Sequence, residues 1–398
     1  MKKQNIFSMA LCALMATATL TSCEGALDDI FGEWSRPVKP LSIEETPLTF
    51  EAVESGTITI SYKGGLTLPK PITYTKNGVS TSITADTDIA VAAGDIVSFS
   101  SENSTLNDDG SGYLNILADH KIYIYGNVMS LINDEGDFSK DKTISGEYAF
   151  GALLYANEKL FNHPEKEILL PATTLSEGCY EAMFRGCYGL TRAPELPATK
   201  LTPECYYQMF RYCTALTTAP ALPAKTLAEA CYYEMFYKCT SLTAAPALPA
   251  TELTTECYYQ MFYNCTSLTT APALPATELA ERCYMQMFNF CRKLIAAPAL
   301  PATTLKKECY HTMFAVCEAL TETPHLAAET LADDCYVNMF QNCTALTKAY
   351  VKAGYDATKC KLMFDGCTDA TGSTFYSADA NNYKTAFSLS NWTPAAYQ

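Results

Sequence analysis

Sixteen of the eighteen cysteines fall into eight pairs. The first members, Cys179, Cys205, Cys231, Cys257, Cys283, Cys309 and Cys335, recur every 26 residues. Each has a second cysteine eight positions on, at Cys187, Cys213, Cys239, Cys265, Cys291, Cys317 and Cys343; Cys360 and Cys367 form a shortened eighth pair. Thiols at such spacing can bond to each other, hold a metal, act as nucleophiles or fill a core as small hydrophobes. Zinc needs four convergent ligands, and no histidine recurs with the pairs. If a helix joins the two members of a pair, they sit about 12 Å apart, whereas a disulfide needs Cα atoms within about 7 Å. Bridges between neighbouring units stay open in an exported protein, but ladders of stacked, buried thiols are the favoured reading. Other chemistry is sparse. There is no glycine-rich phosphate loop, His-Glu-x-x-His or Gly-x-Ser-x-Gly, and His120, His163, His311 and His325 share no motif. A glycosidase-type carboxylate pair would have to be assembled from distant positions. The acidic stretches 107–110 and 133–137 lack calcium-loop spacing and read as exposed turns.

The elements that place these side chains repeat with them. The unit Leu-Pro-Ala-Thr-x-Leu-x-x-x-Cys-Tyr-x-x-Met-Phe-x-x-Cys-x-x-Leu-Thr-x-Ala-Pro-x spans 26 residues, and this period predicts stacked coils in a solenoid over residues 170–367. Within 257–265, Cys257, Tyr258, Met261, Phe262 and Cys265 occupy offsets 0, 1, 4, 5 and 8. At about 100° per residue they form one apolar stripe about 140° wide, which predicts a helix with these residues facing the core. Tyr259, Gln260, Tyr263 and Asn264 then face out. The return stretch 268–274 is extended, with Leu268 and Leu274 inward, and its proline limits any ladder there. Residues 133–169, with Tyr148-Ala149-Phe150 and Leu160-Phe161, form an N-terminal cap, and residues 368–398, with Phe375, Tyr376, Phe387 and Trp392, a C-terminal one.

Upstream, period-two runs of Thr, Val, Ile and Tyr predict short strands and a sandwich-like all-β domain over residues 46–132. Asn77-Gly78 predicts a hairpin turn, because both residues tolerate positive φ; Ala93-Gly94-Asp95 predicts another turn. Residues 1–22 are a secretory leader: Lys2 and Lys3 precede the apolar run 6–20, which is too short to span a bilayer. Leu20-Thr21-Ser22-Cys23 has the form of a lipobox, which makes Cys23 the acylated N-terminus and residues 23–45 a tether. The acidic residues that come next, Asp28 and Asp29 among them, resemble the surface-export signals of some Gram-negative lipoproteins.

A net charge of -15, from 28 basic and 43 acidic residues, argues against a nucleic-acid partner. The run Met261-Phe262-x-x-Cys265-x-x-Leu268 with a subsequent Leu-Pro, repeated over half the chain, resembles the BspA-like leucine-rich-repeat surface proteins. That resemblance implies an α/β solenoid of leucine-rich-repeat type, about eight repeats long and coiled right-handedly. It also implies a location on the outer membrane facing outward and an adhesive role toward a host or bacterial protein or glycan. The membrane is met through the lipid anchor only, and no enzyme activity or cofactor is expected; the alternatives are a glycan-degrading component or a purely structural surface protein. The candidate binding residues are outward aromatics in register: Tyr207, Tyr233 and Tyr259 in one column, Tyr237 and Tyr263 in a second after Arg185 and Arg211, with Tyr212 and Phe290 one position along. Such rings suit protein contacts or stacking against sugars.

Overall fold

The computed structural model describes residues 42–108, 112–133 and 136–397, and 42 onward forms one compact unit. The leader, Cys23 and nearly all of the tether lie outside the described residues, as do parts of both acidic stretches.

Nine strands alternate buried aliphatic residues with Thr, Ser and Tyr, and they assemble into two facing sheets. They are β1 (Leu48–Ala52), β2 (Gly56–Lys63), β3 (Ile72–Lys76), β4 (Val79–Ile83), β5 (Thr87–Val91), β6 (Ile96–Ser101), β7 (Asn107–Asp108), β8 (Gly112–Ala118) and β9 (Ile122–Asn127). One sheet runs β9-β1-β6-β3-β4 and the other β5-β2-β8-β7, with every pairing antiparallel. Ile58, Ile60, Val97, Phe50 and Phe99 fill the space between them, the two Phe rings edge to face at 5.3 Å. The predicted hairpin turn is present, with φ of 49° at Asn77 and 85° at Gly78. Gly94, at φ 84°, forms the second turn, and Asp95 closes it by accepting from the Ala92 amide.

No linker separates this sandwich from the first coil of the solenoid. Strands β10 (Leu160–Asn162) and β11 (Ile168–Leu169) add to β9 in parallel. The amides of Leu106, Ile116 and Ile122 donate to Ala149, Leu153 and Lys159 in the first coil. One hydrophobic core therefore runs from Leu48 to Trp392. Gly126, whose amide donates to the Glu167 carbonyl, permits the segment before β1 to cross closely behind β9: its φ is 93°, and a Cβ there would lie 2.1 Å from the Pro47 carbonyl.

From Leu170 the chain stacks in parallel coils, one per 26 residues. Isolated bridges join Lys200 to Thr226, Thr226 to Glu252, Glu252 to Glu278 and Glu278 to Thr304, and a second set joins Ala244 to Thr270 and Thr270 to Ala296. The regular 26-residue ladder makes this a repeat solenoid, and the single bridges match the prediction of an interrupted extended side.

The helix expected in each unit is absent. In its place is a run of tight turns in which every fourth residue has positive φ, as at Glu204 (55°), Gln208 (54°) and Tyr212 (64°). The amides of Cys205, Tyr207, Met209, Arg211 and Cys213 donate to carbonyls three residues back. Those of Glu204, Tyr206, Gln208, Phe210 and Tyr212 donate to Glu229, Cys231, Tyr233, Met235 and Tyr237 in the next coil. An α-helix would use all its amides internally; here half of them bind coil to coil. Left-handed residues other than glycine cost roughly 1–2 kcal/mol each, and the inter-coil bonds and core offset that cost. Offsets 0, 1, 4, 5 and 8 fit a period of four, so the same five side chains point inward as a helix would send. Cys257, Tyr258, Met261, Phe262 and Cys265 are all buried.

From the end of the sixth unit the extended side becomes a regular parallel sheet, β12 (Glu322–Leu326), β13 (Lys348–Val351), β14 (Thr374–Tyr376) and β15 (Thr393–Ala395). A seven-residue helix, α1 (Ala380–Ala386), is the only α-helix among the described residues. Phe375 and Phe387 meet Phe364 of the short eighth unit at 5.3 and 5.7 Å, and Trp392 donates to the Thr368 carbonyl.

Candidate functional site

All sixteen repeat cysteines are free thiols, and fifteen are fully buried. The first column, from Cys179 to Cys360, packs beside a buried stack of tyrosines, Tyr180 to Tyr336, with ring centroids 5.8–6.3 Å apart. The second column has a definite polar role. Cys213 Sγ donates to the Phe184 carbonyl of the preceding coil at 3.1 Å, and Cys187, Cys239, Cys265, Cys291, Cys317, Cys343 and Cys367 do the same one coil apart. Burial pushes the Cys205, Cys213, Cys257 and Cys291 thiols up to about 12. A buried thiol without its thiolate form is neither a good nucleophile nor a metal ligand. Among the described residues, no group of three or more His, Cys, Asp or Glu is placed to hold a metal ion.

The turn side of the solenoid carries the candidate tyrosines, and the coils bring them into columns. Tyr207 stacks on Tyr233 at 4.6 Å and Tyr233 on Tyr259 at 4.5 Å, with the planes within 13°. Tyr237 stacks on Tyr263 at 4.6 Å. Tyr212 meets Tyr237 edge-on, and Phe290 lies tilted against Tyr263. All six tyrosines are half-buried. The ring faces are largely occupied by one another, so the columns present edges and hydroxyls outward, and the expected open platform for sugar stacking is reduced to the column ends. Burial lifts the Tyr207 phenol to about 12 and raises Tyr259 as well, so both stay neutral hydrogen-bonding groups.

Between the two columns lies a polar row that hydropathy spacing did not single out. Gln208 Nε2 donates to Glu234 at 2.6 Å, Arg185 donates to Gln208 Oε1 at 2.8 Å, and Arg211 forms an ion pair with Glu234. Gln260 donates to Gln286 in the same row. On the margin beyond Tyr207, Arg282 bridges Glu256 and Glu308. These residues occupy or flank the positive-φ positions, a signal readable only once the four-residue period is recognised.

A second aromatic ladder was missed altogether. On the extended side His325 stacks on Tyr350 at 4.1 Å, and Tyr350 on Tyr376 at 4.5 Å. A register shift between Glu322 and His325 makes the first step 25 residues rather than 26, which hides it from a search at fixed period.

No protein-family model matches this chain, and no curated protein and no solved structure matches it either.

Proposed function

We propose that this protein is a lipid-anchored surface scaffold of the BspA-like leucine-rich-repeat kind, which captures a protein or glycan on the turn side of its solenoid. The observation carrying this reading is the in-register set Tyr207, Tyr233, Tyr259, Tyr237 and Tyr263, half-buried and fixed by mutual stacking. Rigid tyrosine edges with neutral hydroxyls offer contact area and hydrogen bonds at small entropic cost. Anchorage on Cys23 and exposure on the outer membrane rest on the leader sequence. The test replaces Tyr207, Tyr233 and Tyr259 together with Ser and measures both melting temperature and capture on an array of matrix proteins and glycans. Lost capture with an unchanged melt supports the reading. A lowered melt with capture retained per folded molecule reduces the columns to coil packing.

A further inference from the structure

In a chain of net charge -15, three successive coils place a cation along one edge of the turn side: Arg185 and Arg211 in one register and Lys238 one position along. The next three coils carry no cation there, with Tyr263 and Asn264, Asn289 and Phe290, and Ala315 and Val316 in the two registers. The cations are held by aromatic faces. The Arg185 guanidinium lies 5.3 Å from the Tyr155 ring centre, Arg211 lies 4.3 Å from Tyr237, and Lys238 Nζ lies 5.2 Å from Tyr212. Glu234 pairs with Arg211, but among the described residues no carboxylate lies within ion-pair distance of Arg185 or Lys238. Arg211 Nε is buried with no acceptor. The opposite margin of the same face is acidic, with Glu204, Glu229, Glu256 and Glu281. The edge is therefore a short cationic line in which, among the described residues, Arg185 and Lys238 have no ion-pair partner while Arg211 is paired with Glu234.

Building on the reading of the turn side as the binding face, we propose that Arg185, Arg211 and Lys238, framed by Tyr212 and Tyr237, bind an anionic polysaccharide bearing about one carboxylate or sulfate per sugar. The aromatic frame favours a sugar chain over an acidic peptide: the rings of Tyr212 and Tyr237, 5.6 Å apart and edge to face, set apolar edges and hydroxyls beside the cations. The Nε–Nη2 edge of Arg185 suits an oxyanion in bidentate fashion, since only its Nη1 is engaged, by Gln208, whereas Arg211, held by Glu234, and Lys238 act as point charges. The Tyr237 hydroxyl is available to the sugar, and the Tyr212 hydroxyl, which accepts from Arg211, keeps its proton to donate.

The experiment measures binding of the full chain to heparin, polygalacturonate, dextran and polyglutamate at low and high salt. The expected result is salt-sensitive binding to heparin or polygalacturonate, the tighter of the two identifying sulfate or carboxylate as the recognised group, with dextran and polyglutamate much weaker. Arg185→Gln with Lys238→Gln should weaken that binding at least tenfold with an unchanged melt; Arg211 is kept because removing it would strand the buried Glu234 carboxylate. Polyglutamate or dextran binding as tight as the anionic glycans, or an unaltered affinity in the double variant, overturns the proposal. Loss of this binding in the Tyr207, Tyr233 and Tyr259 triple Ser variant but not in the double variant overturns the cationic edge while leaving the tyrosine column standing, which separates the two failures.

Discussion

The sandwich and the solenoid share one core yet are held together on different plans. In the sandwich, strands distant in sequence pair, as β1 does with both β6 and β9, so each sheet depends on several separated segments. In the solenoid each coil touches its neighbours only, through repeated side chains: the Phe column from Phe184 to Phe364 stacks at 5.5–5.7 Å throughout. Damage should accordingly spread through the first and stay local in the second.

The largest expected effects test this directly. Phe262→Ala and Phe99→Ala should each cost about 3–5 kcal/mol, since both rings are buried. Native-state hydrogen exchange should show Phe262→Ala exposing chiefly the coils that hold Phe236, Phe262 and Phe288. Phe99→Ala should expose β1, β3, β6 and β9 together. Uniform loss along the whole chain in both variants would abolish the distinction.

A smaller effect probes backbone strain, which the solenoid concentrates and the sandwich avoids. The sandwich turns use Asn77, Gly78 and Gly94 at positive φ, residues that tolerate it. The solenoid sets Val316 at φ 59°, where a β-branched side chain is an outlier. Val316→Gly should raise stability by about 1 kcal/mol in denaturant titration, the relief of strain exceeding the added unfolded-state entropy. A destabilised variant would show that Val316 packing outweighs its backbone.

The smallest effects concern pH, and their signs oppose. Asp95 is held down to about 2 by the Ala92 amide first, then by Asn77 and Lys76. A depressed carboxyl contributes stability above its unfolded value of 3.8 and loses it as pH falls through about 2. Glu181 and Glu204 are raised above 4.5, by burial first and then by neighbouring glutamates. Their contribution is complete below 4.5 and is lost as pH rises through their elevated values. Acidification from neutrality toward 4.5 should therefore firm the coil amides around Ala182 and Gln208, while acidification below 3.8 loosens the Ala92–Ile96 turn. Exchange rates corrected for intrinsic pH dependence check both, and the reverse order would contradict the assignment.

The same contrast explains what was legible in the sequence. The sandwich strands and the Asn77-Gly78 hairpin were readable because period-two alternation and turn chemistry are local. In the solenoid, the inward set Cys257, Tyr258, Met261, Phe262 and Cys265 was readable but its backbone was not. Over nine residues a period of 4 and one of about 3.6 send the same side chains inward. The residues at positive φ, such as Glu204, Gln208 and Lys238, are not glycines and give no sign of it. The tyrosine columns came from the 26-residue register, whereas their mutual stacking, the Gln208–Glu234 row and the shifted His325 ladder depend on contacts between coils that no single unit encodes.

The alternating amides of the turn side carry one more consequence. Each coil from that of Cys179 to that of Cys283 offers five donors to the coil after it, and the coils of Cys309 and Cys335 offer four. The joint is thus a standard coupling with a direction: any interior unit fits behind any other, but never reversed. Duplication or excision of one 26-residue unit leaves every coupling matched and only the length altered. The length of the solenoid can therefore change between generations in whole steps, without redesign of the core.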